Sequence, residues 1–167
     1  MALTKVLITV KTYPTLSKKY DELVCTAGFR EDGSWIRIYP VPFRKLDYQK
    51  RYEKWQWIEL DLEKNTNDFR PESFKPKNID ADIKILDKID TKGNWAKRKK
   101  IVSNRIWTNL SDLIAAKNND GTSLAILKPK QVIDFICEPC EREWDKKKMD
   151  AVIANKAQGS LFDEEET

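Results

Sequence analysis

The chain has 167 residues, 40% of them hydrophobic and 35% charged, with a net charge of +4, three cysteines and no histidine. That length can bury one real core, and no apolar run approaches the length of a membrane span. The lack of histidine removes the commonest general base and metal ligand, along with every Ser-His or Cys-His device. An odd cysteine count and a first segment that reads as a strand, not a leader, point to the reducing cytoplasm.

Residues 5–11, KVLITVK, form a β-branched first strand. Tyr13-Pro14 breaks it, and residues 15–20 read as a loop or a single helical turn. Residues 22–30 and 35–39 are β-forming runs joined by Glu31-Asp32-Gly33, and an Asp-Gly pair between such runs signals a hairpin. This hairpin should be central. Alternation puts Ile36 and Ile38 on a core face and Trp35, Arg37 and Tyr39 on the other. Pro40 and Pro42 should end the strand, since proline cannot donate to a ladder.

Residues 43–54 read as a short helix across one end of a barrel. Residues 57–64 read as one long strand, with Ile58, Leu60 and Leu62 inward and Glu59, Asp61 and Glu63 outward. A connection over 65–78 is expected to be pinned by Phe69 and Phe74. A strand over 81–89 breaks its alternation at Leu86, which suggests a bulge. Helices follow at 95–107, with Trp95, Ile101 or Val102, and Ile106 inward, and at 113–117, capped by Ser111-Asp112. Strands are expected at 123–127 and 131–137, then a helix over 144–157. The expected class is α+β and β-rich, with about seven strands in a partly open, OB-like barrel, a few short helices, and a C-terminal helix plus tail. Residues 1–157 read as one compact domain, which could also be two fused β units of about 1–90 and 91–157, followed by an acidic tail at 158–167.

Several constellations could carry function. Trp35, Arg37 and Tyr39, with Arg44 at the strand exit, offer a cation between aromatics, as stacking on nucleic-acid bases needs. The plainer reading is that the two rings cap an edge of the core and Arg37 snorkels past them. Lys97, Arg98, Lys99, Lys100 and Arg105, flanked by Trp95 and Trp107, would present a positive ridge to a phosphate backbone; the alternative is a solvated face. Glu59, Asp61 and Glu63, with Asp82 nearby, outline a metal-dependent nuclease edge, although Lys64 points away from Glu63 and an ordinary wet strand face fits better. Cys137 and Cys140 form a CxxC pair, but a structural zinc needs four ligands and only Cys25 and carboxylates remain, so no metal or cofactor is expected. Gln158, Ser160, Leu161 and Phe162 match the short peptide with which many bacterial proteins bind the DNA sliding clamp; Gly159 departs from its usual leucine.

The hairpin also resembles the dual-OB domain of bacterial and phage-defence gene neighbourhoods, through Val24, Cys25, Ala27, Gly28, Gly33, Trp35, Ile36 and Arg37. The resemblance covers about the first quarter of the chain. It implies two fused OB-like barrels, a nucleic-acid or nucleotide ligand, and no catalysis. The function expected is a non-enzymatic nucleic-acid-binding module, with DNA favoured over RNA, serving a DNA-processing or defence system. A metal-dependent nuclease and a clamp-binding adaptor are the alternatives.

Overall fold

The structure is a computed structural model that describes residues 3–13, 15–17, 21–78, 82–140, 143, 146, 147, 149–151, 153 and 154. Its centre is a curled eight-stranded sheet made entirely of residues 4–88. The strands are β1 (Thr4–Lys11), β2 (Thr15–Ser17), β3 (Asp21–Arg30), β4 (Trp35–Val41), β5 (Gln56–Leu60), β6 (Leu62–Lys64), β7 (Ser73–Pro76) and β8 (Lys84–Lys88). Seven of them lie in the order β6-β7-β4-β3-β1-β5-β8, and β2 pairs with β3. The β3–β4 hairpin therefore sits in the middle, as the sequence implies. Gly33 has φ +80°, and the Asp32 carboxylate accepts the Ser34 amide at 2.8 Å and the Ser34 hydroxyl at 2.6 Å, which closes the turn.

Residues 56–64 make two strands, not one. β5 lies next to one edge of the sheet and β6 is the opposite edge, yet only Asp61 separates them. A one-residue link cannot cross a flat seven-stranded sheet, so the sheet must curl until its edges meet. The fold is thus α+β, β-rich and a partly open barrel. Inside it pack Val6, Ile8, Ile36, Ile38, Val41, Ile58, Leu60 and Ile83. The segment 42–55 crosses one end as two 3-10 turns, Phe43–Lys45 and Tyr48–Lys50, and plugs the core with Leu46 and Tyr52. The buried Tyr52 hydroxyl and Thr26 Oγ1 are hydrogen-bonded at 2.6 Å.

Other boundaries depart from expectation for local reasons. β2 occupies part of the segment expected to be a loop or helical turn, because β3 is long enough to pair with it. β4 runs through Pro40 to Val41. Between the pairs Thr26↔Ile38 and Val24↔Val41, two residues of β4 oppose Cys25 alone, so a bulge absorbs the proline that cannot donate. The bulge foreseen near Leu86 is present: Leu86 and Asp87 oppose Trp57 between the pairs Ile58↔Ile85 and Gln56↔Lys88.

Helix α1 spans Lys92–Val102 and opens through Gly93, Asn94 and Trp95, all with left-handed φ, so its regular part is shorter than the expected 95–107. Ile106–Trp107 is instead strand β9, paired in parallel with β10 (Ile126–Leu127). Between them α2 spans Leu110–Asp120, longer than expected. Its cap is Asn109, whose side chain accepts the Ser111 amide, and not Ser111-Asp112. Residues 131–137 form no strand: Val132, Ile133, Phe135 and Ile136 are exposed and have no neighbouring ladder among the described residues. The described residues between 146 and 154 are helical, in line with the C-terminal helix. No helix among the described residues is long and apolar enough to cross a membrane.

Candidate nucleic-acid interface

The outer face of the sheet carries the row Trp57–Leu7–Phe29–Trp35, aligned across β5, β1, β3 and β4 by pairing register. Alternation along β4 places Trp35, Arg37 and Tyr39 on this face, as expected, but three different surroundings receive them. Trp35 packs on Phe29 with ring centroids 4.1 Å apart, and it shares a 70 Å³ cavity with Arg105, Trp107 and Leu124. Arg37 is a tether. Its Nη2 donates to Ser123 Oγ at 3.1 Å and its Nη1 to Cys25 Sγ at 3.3 Å. Ser123 in turn donates from its amide, at 3.1 Å, and its hydroxyl to the buried Glu72 carboxylate. These bonds clamp the loop after α2 onto the sheet. Tyr39 is 38% exposed, so it is the more open of the two β4 rings.

Tyr39 opens into a cleft of about 810 Å³ shared with Pro40, Asn65, Asn67, Phe69 and Lys75. The bulge at Tyr39–Pro40 lies where strand pairing is interrupted, and bulges re-aim side chains in this way. The buried Asn65 fixes the wall: its Nδ2 donates to the Tyr39 carbonyl at 3.4 Å and its Oδ1 accepts the Asn67 amide at 3.1 Å. Asp68 orders the next turn by accepting Arg70 Nε at 2.8 Å and Ser73 Oγ at 2.7 Å. The Arg70 hydrogen bonds, then the Ser73 hydroxyl, hold the Asp68 carboxyl well below the usual carboxylate range. With the loop fixed at both ends, Phe69 projects outward and is 90% exposed, whereas Phe74 packs against the core. Only Phe74 therefore pins the connection. Asn67 also lines the cleft, and its side-chain amide has no hydrogen bond among the described residues. Two open rings, a free amide and the spare donors of Arg70 can stack on a base and read its edge.

The remaining expected residues are dispersed. Lys97, Lys99 and Lys100 face solvent on α1. Arg98 turns inward and is 9% exposed; its guanidinium lies 4.8 Å from the Trp55 ring and 5.2 Å from the Trp95 ring and donates to the Ile89 carbonyl at 2.8 and 3.1 Å. Trp95, expected inward, is half exposed as one side of that sandwich. Lys97 borders a different cleft of about 790 Å³, beside Trp57 on the β5–β8 side. Arg44 is exposed in the first 3-10 turn, and Arg105 lies with Trp35. Each nuclease-type carboxylate holds its own lysine: Glu59 with Lys84, Asp61 with Lys77, Glu63 with Lys75 and Asp82 with Lys50. Among the described residues no three potential metal ligands gather. Cys137 and Cys140 are exposed thiols. Gln158, Leu161 and Phe162 lie outside the described residues.

Asn65, Asn67, Phe69, Arg70 and Lys75 are cleft residues that sequence reading did not assign, and Phe69 is the one that a sequence signal could have found. The available signal was an aromatic followed by arginine in a connection rich in Asn, Asp and Pro, without periodic apolar neighbours to bury it. No curated protein and no solved structure matches the chain. One family model matches residues 2–104, which takes in the whole barrel and α1 and stops before β9. That match covers more than half of the chain, and the chain accordingly belongs to this family, a domain of unknown function (DUF8758).

Proposed function

We propose that this protein is a non-enzymatic nucleic-acid-binding module that holds an unpaired base of a single strand in the Tyr39–Phe69 cleft, with DNA as the favoured ligand. The observation that carries the reading is the pair of exposed aromatic residues lining one cleft, with Phe69 almost fully exposed on a loop ordered by Asn65 and Asp68. An exposed phenylalanine on a fixed loop gains nothing from burial within the chain, whereas a base offers it a face to stack on. The partly open β-barrel and the hairpin's likeness to the dual-OB domain support the same reading, and with it a role as an accessory to a DNA-processing or defence system.

The test is fluorescence anisotropy with a labelled oligothymidylate of about 12 nucleotides, within the span that one OB fold covers. Stacking contributes about 1–3 kcal/mol per base, so Phe69→Ala should weaken binding about fivefold or more. The ring carries no charge, so the salt dependence of binding should keep its slope. Absence of binding by the native protein at low salt, or native affinity in the Tyr39→Ala/Phe69→Ala variant, would overturn the proposal.

A further inference from the structure

β1 and β4 both run antiparallel to β3, so their C-terminal ends lie at the same end of the barrel, as does the start of β5. The segment 42–55 covers this end. Elsewhere on the barrel, Lys5, Lys75, Lys77, Lys84 and Lys88 each hold a carboxylate. Lys64 and Arg30 are exceptions, bound instead to the carbonyls of Arg70 and Pro71 and to Ser34 Oγ, respectively; at the covered end three such cations occur together. Lys11, Arg51 and Lys54 have no carboxylate partner among the described residues. The nearby acids whose side chains are described are already engaged: Asp47 and Asp82 with Lys50, and Glu53 with Lys88.

Lys11 is the unusual member. Its ammonium sits 3.8 Å from the Phe43 ring centroid and 5.9 Å from that of Tyr52, and its one hydrogen-bond acceptor among the described residues is the Tyr52 carbonyl at 3.5 Å. Partial burial and then the neighbouring Lys54 charge hold its pKa below the ordinary lysine value. Arg51 donates to the carbonyls of Leu46 at 3.0 Å and Arg44 at 2.7 Å, which orders the guanidinium without a carboxylate among the described residues. Tyr13, just beyond Lys11, and Tyr48, in the second 3-10 turn, are 93% and 86% exposed. Lys11 is partly desolvated and Arg51 is held in place by two carbonyls, and with no carboxylate beside them among the described residues both lack an anion of the kind a phosphodiester supplies. The pairing Lys11↔Thr26 and Thr26↔Ile38 puts β1 two strands from β4, about 10 Å at ordinary strand spacing. Tyr39 is the residue after Ile38, so a strand leaving its cleft meets these cations at the same barrel end.

We propose that Lys11, Arg51 and Lys54 bind the phosphodiester backbone of the strand whose base occupies the Tyr39–Phe69 cleft, a proposal that rests on the nucleic-acid reading above. The test compares native protein with Lys11→Met/Lys54→Gln, in which the methionine keeps the stem on Phe43. Two lost contacts on a single strand should lower the salt slope by about 1.4, so between 50 and 200 mM salt native affinity should fall about sevenfold further than the variant's. Lysine acylation read by mass spectrometry should show Lys11 and Lys54 protected by the oligothymidylate and Lys99 and Lys100 unprotected. Binding with an unchanged slope, or protection confined to α1, would overturn this proposal and leave the Phe69 result standing. Competition by inorganic tripolyphosphate at equal phosphate concentration would assign the site to a free polyphosphate and overturn it likewise. If the native protein binds no oligothymidylate even at low salt, this proposal falls together with the reading beneath it.

Discussion

The hydrogen bond between Tyr52 and Thr26 ties the plug at one end of the barrel to its central strand, and a double-mutant cycle will measure that tie. Both side chains are essentially without solvent, at 2% and 0% exposure, and the oxygens are 2.6 Å apart. Tyr52→Phe removes one hydroxyl and strands the other, and a buried unsatisfied polar atom costs about 1–3 kcal/mol. Thr26→Val strands the tyrosine hydroxyl in the same way. With both replaced, no polar atom is left unpaired, so the double variant should lose less than the sum of the singles, by about 1–2 kcal/mol. Urea unfolding at neutral pH, followed by tryptophan fluorescence, measures all four corners. The same bond has an alkaline signature. Burial raises the Tyr52 pKa far above the ordinary tyrosine value. The folded protein therefore holds this proton after the unfolded chain has lost it, so its stabilising effect is complete below about pH 10 and declines above it. Stability should fall above pH 10 more steeply in the native protein than in Tyr52→Phe, by about 1.4 kcal/mol per pH unit. Strictly additive single effects, or parallel alkaline limbs, would refute the reasoning.

Two further predictions concern the barrel and the cleft loop. A β-carbon at Gly28 would lie 1.8 Å from the Leu7 carbonyl oxygen on the neighbouring strand, so Gly28→Ala should destabilise by about 3 kcal/mol or more. That corresponds to a fall in melting temperature of about 6–12 °C for a chain of this size, and an unchanged melting temperature would show that β1 and β3 can move apart. Asp68 is held below the usual carboxylate range, so its contribution is complete above the unfolded value near 4 and is lost as pH falls below it. The native protein should therefore lose stability between pH 4 and pH 2 relative to Asp68→Asn; calorimetric melting curves that fall in parallel would remove Asp68 as the loop's anchor.

What the sequence determines by itself is local periodicity. The two-residue period around Asp32-Gly33 defines the hairpin, puts Ile36 and Ile38 in the core, and separates Ile58 and Leu60 from Glu59. These features follow from backbone geometry within a few residues, and they hold in the structure. What covers the opposite face is decided only by contacts between residues far apart in the chain. Arg37 finds Ser123, 86 residues away, so Trp35 is walled in and Tyr39 is left open. Arg98 reads as one cation in a basic run, but Trp55 arrives from the barrel and draws it inward. Residues 131–137 have a strand's composition but no adjacent ladder among the described residues, and a strand exists only through its partner. The bend at Asp61 that curls the sheet, and the outward turn of Phe69, likewise arise from the meeting of distant edges and loops. Alternation determines which side chains share a face; tertiary packing determines which of those faces is left for a ligand.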